Sequence, residues 1–592
     1  MASRVDNLQV AQIFGEIADL LEIKGENGFK IRAYRSGADT IKAWGDPVAL
    51  MDETQLRALP GIGKDLAAKI RELAGTGVCG YHAELLQEFP PTILDLLRLQ
   101  GVGPKTVAVL YGSLNIRTVE ELADAARSGR LRELKGMGPK KEALILKAIE
   151  ERQKDAGRHL LADTAAIAGE LIAYLEERAP GVDFTPVGSV RRGCETCGDI
   201  DILASGPYAS LGTGASTSLM EVFVAYPHVE RILGQGDTKS SVRLRGGFQA
   251  DLRLVPPGSR GAAMQYFTGS KAHNILLRDR AIHQGFKLNE YGLFRTTDNV
   301  KVAGQTEESI YETLGLAWVD PSLRENRGEI EAAAEGRLPH LVAASDIRGD
   351  LHMHTTASDG RDDIDAMAAA AARRGYQYIA ITEHSKALAM ANGLDEERAL
   401  AHAAAVRARN GRFGNLTLLA GIECDILPDG RLDLADDCLA QLDIVIASIH
   451  SHFAQDETQM TDRILRALEN PWVDVLAHPT ARLLLKREPI RMQMDAVMAA
   501  AGRHGVALEI NCQVDVSRGV ARLDLNDAHA RLAHERGVML VISTDAHSAG
   551  ALANMQWGLQ VARRAWTTPA SVLNTKSLEE LRPLLRRTRR AA

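Results

Sequence analysis

The chain has 592 residues, 45% of them hydrophobic and 25% charged, with 70 basic against 77 acidic side chains for a net charge of −7. That length is too great for one hydrophobic core and suggests about four domains. The charge argues against an indiscriminate polyanion binder, so any grip on nucleic acid is expected to rest on local patches and backbone amides. No apolar run is long enough for a membrane helix, the N-terminal MASRVDNLQVAQIFGEIADL lacks the apolar region of a secretory signal, and six Cys are too few for a disulfide framework, so a cytoplasmic protein is expected.

Residues 1–155 read as helical, with apolar positions at helical spacing in VAQIFGEIADLLEI and VEELADAARSG. They carry 22 basic and 22 acidic side chains. One signature recurs three times, in LPGIGKDLAAKI, LQGVGPKTVAVL and LKGMGPKKEALIL: Gly-x-Gly, then Lys and a helix. It predicts tandem helix–turn–helix units. Their glycines, Gly61, Gly63, Gly101, Gly103, Gly136 and Gly138, let backbone amides approach a phosphate, and Lys64, Lys105 and Lys140 add charge. Such contacts carry no sequence information.

From 156 to 320 the pattern becomes α+β with an antiparallel sheet. A helix, AIAGELIAYLEERA, leads into DFTPVGSV, then GDIDILA and QADLRLVP, with a Gly/Ser-rich loop, GPYASLGTGASTSLM, between them. Asp199 and Asp201 at i and i+2 on a strand share one face, and Asp251 sits on a later strand able to pair beside it. Three carboxylates on one face make a site for two Mg²⁺ ions that align the oxygens of a phosphoryl transfer. Just upstream, GSVRRG offers a turn amide, a hydroxyl and a guanidinium for a triphosphate. Cys194 and Cys197 form a lone C-x-x-C with no partner pair and are read as incidental. Residues 321–345 are polar and read as a linker.

From 346 on, seven short β-rich runs alternate with Ala-rich helices, which predicts a parallel βα barrel or sheet. Eleven of the 17 His lie in this last part. All but one of the runs are followed by metal-type residues: His352, His354 and Asp359; Glu383 and His384; Glu423; His450 and His452; His478; Asp545 and His547. Strand ends of a βα barrel converge on one mouth, and so many N and O ligands imply two or three ions. Arg482, just past His478, is a candidate for holding a phosphate, with a surface ion pair as the plain alternative. The tail LRPLLRRTRRAA reads as basic and frayed.

HMHTTASDG, ITEHS, GIECDI, SIHSHF, AHPTARLL and STDAH, in that order, resemble the motifs of the PHP (polymerase and histidinol phosphatase) domain over 346–575. The resemblance implies a distorted seven-stranded βα barrel with a trinuclear site held by His352, His354, Asp359, His384, Glu423, His450, His478, Asp545 and His547. Glu383 and His452 fall outside the ligand positions and are expected to support them. The ions implied are two or three Mn²⁺, Zn²⁺ or Fe²⁺.

GSVRRGCETCGDIDIL, YFTGSKAHNILLRDRA and LNEYGLF resemble the family X DNA polymerases over 1–320. By position the resemblance implies that Asp199, Asp201 and Asp251 bind Mg²⁺ or Mn²⁺, with Asp251 receiving the primer 3′-OH proton. It puts Gly188, Ser189, Arg192 and Gly198 at the nucleotide, Tyr266, Phe267 and Gly269 along its sugar, and Asn274 and Arg278 at the base pair. The repeats then resemble helix-hairpin-helix units, and Lys69 aligns with a Schiff-base lyase residue, although Asp65 stands where the pattern has a basic one. The domains expected are 1–90, helical and lyase-like; 91–155, helix-hairpin-helix fingers; 156–255, a nucleotidyltransferase palm; 256–320, the thumb; 321–345, the linker; 346–575, the PHP domain; and 576–592, the tail. The expected activity is a monomeric repair polymerase that adds dNTPs in gapped or nicked DNA, with a second centre processing 3′ ends as an exonuclease, phosphatase or abasic-site endonuclease. Two alternatives stand: a histidinol-phosphatase-like phosphomonoesterase with a front-half binding module, or a barrel whose metals serve stability alone.

Overall fold

A computed structural model of the chain describes residues 7–43, 48–90, 92–97, 99, 102–134, 136–155, 157–206, 218–515 and 520–585. The contacts divide it into two compact units, 1–156 and 157–592. Gly101, most of the Gly/Ser-rich loop and the last seven residues lie outside the described residues.

The first unit is all helical around one core that includes Phe14, Ile17, Leu21, Ile70, Leu110, Leu122 and Ile145. Helix Lys64–Thr76 follows Gly63, Pro104–Leu114 follows Gly103 and Pro139–Asp155 follows Gly138. The residue between the two glycines is the anchor: Ile62, Val102 and Met137 are all buried. An apolar plug pins each turn to the core. The first glycine turns the chain in the left-handed region, φ 75° at Gly61 and 82° at Gly136, where a side chain would be strained.

The second unit begins with a five-stranded sheet. Its strands are β1 (Asp183–Pro186), β2 (Asp199–Ser205), β3 (Val229–Gln235), β4 (Lys239–Leu244) and β5 (Gln249–Val255), in the order β1-β2-β5-β4-β3. The expectation of an antiparallel sheet needs correction: β2 and β5, the two carboxylate strands, run parallel. Ile200, Ile202, Ala250 and Leu252 alternate onto the core face, against Leu171 and Leu175 of helix Leu161–Arg178. The same alternation turns the aspartates to the other face.

The segment 321–345 is not a polar tether. Leu323, Ile330 and Leu341 join the core around Leu277, Leu293 and Ile310. Its charges are buried because they are paired: Arg324 with Glu307 at 2.7 Å and Glu329 with His273 at 2.8 Å.

Seven parallel strands follow, hydrogen-bonded in chain order: β6 (Gly349–Asp350), β7 (Tyr378–His384), β8 (Thr417–Asp425), β9 (Ile444–Ser448), β10 (Val475–Leu476), β11 (Ala507–Asn511) and β12 (Leu540–Ser543). A parallel bridge from Met353 to Ala546 brings the first and last strands together, so the barrel nearly closes. Tyr378, Ala380, Leu419, Ile444, Ile446, Val475, Ala507 and Val541 share one core cluster. Leu581 and Leu585 join it, so the start of the tail packs against the barrel rather than fraying.

Candidate active sites

Strand parity builds the barrel's centre. Tyr378 and Ala380 are followed at even offset by His384, Leu419 by Glu423, Ile446 by His450, and Val541 by Asp545. The face that fills the core along each strand presents a ligand at its C-terminal end. All nine expected ligands come together. Three interlocking groups, His354–Asp359–His384–His547, His352–His354–Asp545 and His384–Glu423–His450, each have donor atoms within 4.8 Å of one another. His478 completes the set with Nε2 2.8 Å from Glu423.

Glu423 is the hub. His384 Nδ1 lies 2.7 Å, His450 3.4 Å, His352 3.5 Å and His354 3.6 Å from its oxygens. Burial alone would raise this carboxyl; the imidazoles of His450, His384 and His352 outweigh it and hold the group well below the usual range. Glu423 Oε2, Asp545 Oδ1 and His384 Nδ1 are buried without a hydrogen bond, although His384 Nδ1 stands 2.7 Å from Glu423 Oε2 and His354 Nε2 3.1 Å from Asp545 Oδ1. Crowded, buried lone pairs that do not hydrogen-bond each other fit a bound cation cluster.

Several supporting residues were not read from the sequence. Glu509 accepts from His352 Nδ1 at 2.7 Å, from the His478 amide at 2.8 Å and from Asn511 at 3.1 Å, fixing two ligands at once. Its signal was a lone acid inside the apolar run VALEI, in parity with Ala507. Asp425 does the same for His450 at 3.2 Å. Glu383, expected as a supporting group, holds the amide of Thr355 at 3.0 Å and the hydroxyl of Ser358, shaping the loop that carries Asp359. His452 is exposed at the loop after β9. Arg482 does not face the centre as a free phosphate ligand: it is buried, and one terminal nitrogen is held by Glu195, just before Asp199, and by the Leu523 carbonyl. Arg522 is better placed. Its Nε stands 3.6 Å from Asp545 and one terminal nitrogen is buried without a partner.

The other centre lies on the five-stranded sheet. Asp201 and Asp251 are direct partners across β2 and β5, with Asp199 two residues before on the same face. Burial, then Asp199 and Asp251, push Asp201 up to about 7. Burial and Asp251 raise Asp199 as well. Three carboxylates that cannot comfortably share their charge fit divalent cations. A cavity of about 520 Å³ opens beside them, lined by Gly188, Ser189, Arg192, Gly198, Asp199, Asp201, Tyr266, Phe267, Gly269, Asn274 and Arg278, with Arg158 and Lys271 as cations the sequence reading did not name. Gly188 has φ 63°, and an added Cβ would stand 2.4 Å from Asp201 Oδ2, so the turn approaches the carboxylate only as glycine.

The two arginines of GSVRRG diverge. Arg191 is tied to Glu307 at 2.6 Å and to Thr268 at 2.6 Å. Arg192 lines the cavity. The Tyr266 and Phe267 rings meet edge-on at 5.1 Å. Asn274 donates to the Tyr266 carbonyl and accepts from Gln265, both at 2.7 Å, so most of its amide serves to fix that wall. Cys197 is fully buried, and burial raises its thiol to about 11.

In the helical unit Lys64, Lys105 and Lys140 are exposed beside their helix starts. Gly63 caps its helix without a side-chain hydrogen bond, leaving the first amides to face an anion; behind Gly103 the helix starts with Pro104, which has no N–H, and the Thr106 amide donates to the Gly103 carbonyl at 2.8 Å, so Lys105 carries the amide on offer there. Lys69 Nζ is held by Asp65 at 2.6 Å, with the Tyr81 and Tyr34 rings 5.2 and 6.0 Å away. An amine attacking a sugar carbon would first have to leave Asp65.

A palm with a nucleotide-sized cavity and a His-rich βα barrel, on one chain with hairpin helices earlier in its sequence, define a two-centre phosphoryl-transfer protein. Comparison with known proteins narrows the class. Residues 5–79 match a helix-hairpin-helix domain and 93–151 a SAM-like helix-hairpin-helix tandem. Residues 162–236 match the DNA polymerase beta palm, 263–325 the DNA polymerase beta thumb and 350–513 the PHP domain. The chain is 37% identical over 580 residues to the DNA polymerase/3′-5′ exonuclease PolX of Bacillus subtilis (strain 168), covering 98% of this chain and 99% of that protein. It is 27% identical over 347 residues to DNA polymerase lambda of Arabidopsis thaliana, 54% of this chain and 62% of that one. It is 30% identical over 231 residues to a probable phosphatase of Thermoanaerobacter sp. (strain X514), 38% of this chain and 89% of that one. The chain belongs to the family X DNA polymerases that carry a C-terminal PHP domain.

Proposed function

We infer that the chain is a DNA repair polymerase that extends primer 3′ ends in short gaps and, at its barrel, shortens 3′ ends as a 3′–5′ exonuclease. The observation that carries this is the coexistence of two intact centres: Asp201 paired with Asp251 beside a cavity of about 520 Å³, and nine candidate ligand side chains, Glu423 among them, gathered in the barrel. Gapped or nicked DNA and dNTPs are the substrates this reading requires.

At the palm, the Gly188–Ser189 turn and the Arg192 guanidinium hold the triphosphate. Tyr266 and Phe267 wall the sugar and exclude a 2′-hydroxyl by bulk. Asp251 accepts the proton of the primer 3′-hydroxyl; Lys239 at 3.3 Å and Gln249 at 3.2 Å fix its oxygens. At the barrel, Arg522 orients the phosphodiester. Mg²⁺ or Mn²⁺ at the three aspartates, and two or three Mn²⁺, Zn²⁺ or Fe²⁺ ions among the nine barrel ligands, would supply Lewis acidity and, at the barrel, an activated water. The probable-phosphatase relatives support phosphoester cleavage at the barrel without fixing its substrate.

The test uses a gapped duplex with a 5′-labelled primer and Mn²⁺, with and without dNTPs. Asp199→Asn abolishes extension and spares shortening; His547→Ala does the reverse. A wild-type protein that never shortens the primer would leave the barrel structural or give it another substrate.

A further inference from the structure

We propose that Arg564, on the barrel helix Met555–Arg564, is a positioning residue for the polymerase centre: it neutralises Glu325 so that Arg192 keeps its charge for the incoming nucleotide. The inference rests on the reading of Arg192 as a triphosphate contact.

Glu325 Oε1 accepts from Arg192 Nε at 2.9 Å and from an Arg564 nitrogen at 2.8 Å. The same Arg564 nitrogen donates to the Arg192 backbone carbonyl at 3.1 Å. Its other edge holds Asp527 at 2.9 Å, which Arg327 also reaches at 3.1 Å. A second Arg192 nitrogen donates to the Thr268 carbonyl, and the third has only Cys194 Sγ, at 3.7 Å. Glu325 and Thr268 therefore aim the guanidinium, and one edge stays available to the cavity.

A carboxylate that aims a phosphate-binding arginine also cancels its charge. Arg192, Arg327 and Arg564 face Glu325 and Asp527, so the cluster keeps one surplus positive charge. Side chains of Arg564, Arg192 and Glu325 are only 8, 15 and 18% exposed, so solvent screens the balance weakly. Without Arg564, Glu325 falls to Arg192 alone, and a triphosphate meets a neutralised site.

Steady-state gap filling tests this. Arg564→Gln raises the KM for dNTP about tenfold, equivalent to ~1.4 kcal/mol, with kcat, affinity for gapped DNA and primer shortening little changed. Arg564→Lys recovers most of the loss. Arg564→Gln combined with Glu325→Gln returns towards wild type, because the amide oxygen still receives Arg192 while no carboxylate is left to neutralise it. A KM untouched by Arg564→Gln, or a double variant as poor as the single one, overturns the proposal. If Arg564→Gln lowers the melting temperature, the double-variant and Arg564→Lys results still decide it. Arg192→Gln is the separate control: an unchanged KM there overturns the reading of Arg192 and not the linkage alone.

Discussion

The two centres handle charge in opposite ways. The palm places three acids on an open sheet face with no imidazole among them, and burial plus mutual repulsion leaves Asp201 at about 7. The barrel surrounds each acid with imidazoles, so that Glu423 and Asp545 are held well below the usual carboxylate range. On the proposed reading, the palm is half a coordination sphere that a triphosphate and a primer would complete. The barrel would then be a full set of ligands, with His352 and His450 held by Glu509 and Asp425. A polymerase must admit and release a nucleotide at every step; a hydrolytic centre that only needs a phosphodiester and water gains from being built in advance.

The largest test strikes the hub. Glu423→Gln lowers primer shortening on the order of a thousandfold, because one substitution loosens every ligand group around it, while extension persists. Wild type passed through a desalting column keeps barrel metal, measured by elemental analysis, and the variant loses it. A variant that keeps both metal and shortening would show that the barrel is not preorganised around that carboxylate.

The open centre has its own hidden order, in the ion pairs beneath it. Glu307 joins Arg191 of the phosphate turn to Arg324 of the connecting segment. Burial alone would raise its carboxyl; Arg191 and Arg324 reverse that and bring it to about 2, against 4.5 when unpaired. A group depressed on folding stabilises above its unfolded value and loses that contribution as pH falls from about 4.5 through about 2. The shift corresponds to about 3 kcal/mol. Glu307→Gln therefore destabilises by about that amount at neutral pH, and the gap to wild type in urea unfolding closes between pH 4.5 and 2. A gap that does not change with pH would mean that the pair contributes packing alone.

A finer test compares support with ligation. Glu509→Gln keeps the volume and the hydrogen-bonding shape but removes the charge that orients His352. The expected cost is about 10- to 100-fold in barrel metal affinity or shortening, read by metal titration followed by primer shortening. Extension should not move.

What the sequence disclosed, and what it hid, follows the range of the interactions. Asp199 and Asp201 share a face by strand parity alone, and the barrel ligands stand at strand ends, where a βα unit exposes them. Both are local facts. The parallel pairing of β2 with β5 is not local, because two strands and a helix intervene. Arg482 looked like a phosphate ligand because its partner, Glu195, lies 287 residues away. Residues 321–345 looked like a tether because Arg324 and Glu329 are charged, and only the fold shows that Glu307 and His273 complete them. Glu509 was visible as an acid in an apolar strand and was passed over.

The smallest effect expected lies in the helical unit and separates holding DNA from acting on it. Lys140 stands exposed at the start of Pro139–Asp155, in the third Gly-x-Gly turn. A lysine that neutralises one phosphate contributes about 0.9 to the slope of log affinity against log salt. Lys140→Ala is expected to flatten that slope by about this amount and to weaken binding alike for every duplex sequence, as a backbone contact should. Measured at subsaturating DNA, extension and shortening should fall together, with the kcat of each unchanged. If only extension fell, the hairpin would be serving one centre rather than the duplex, and the open palm would depend on the helical unit in a way the barrel does not.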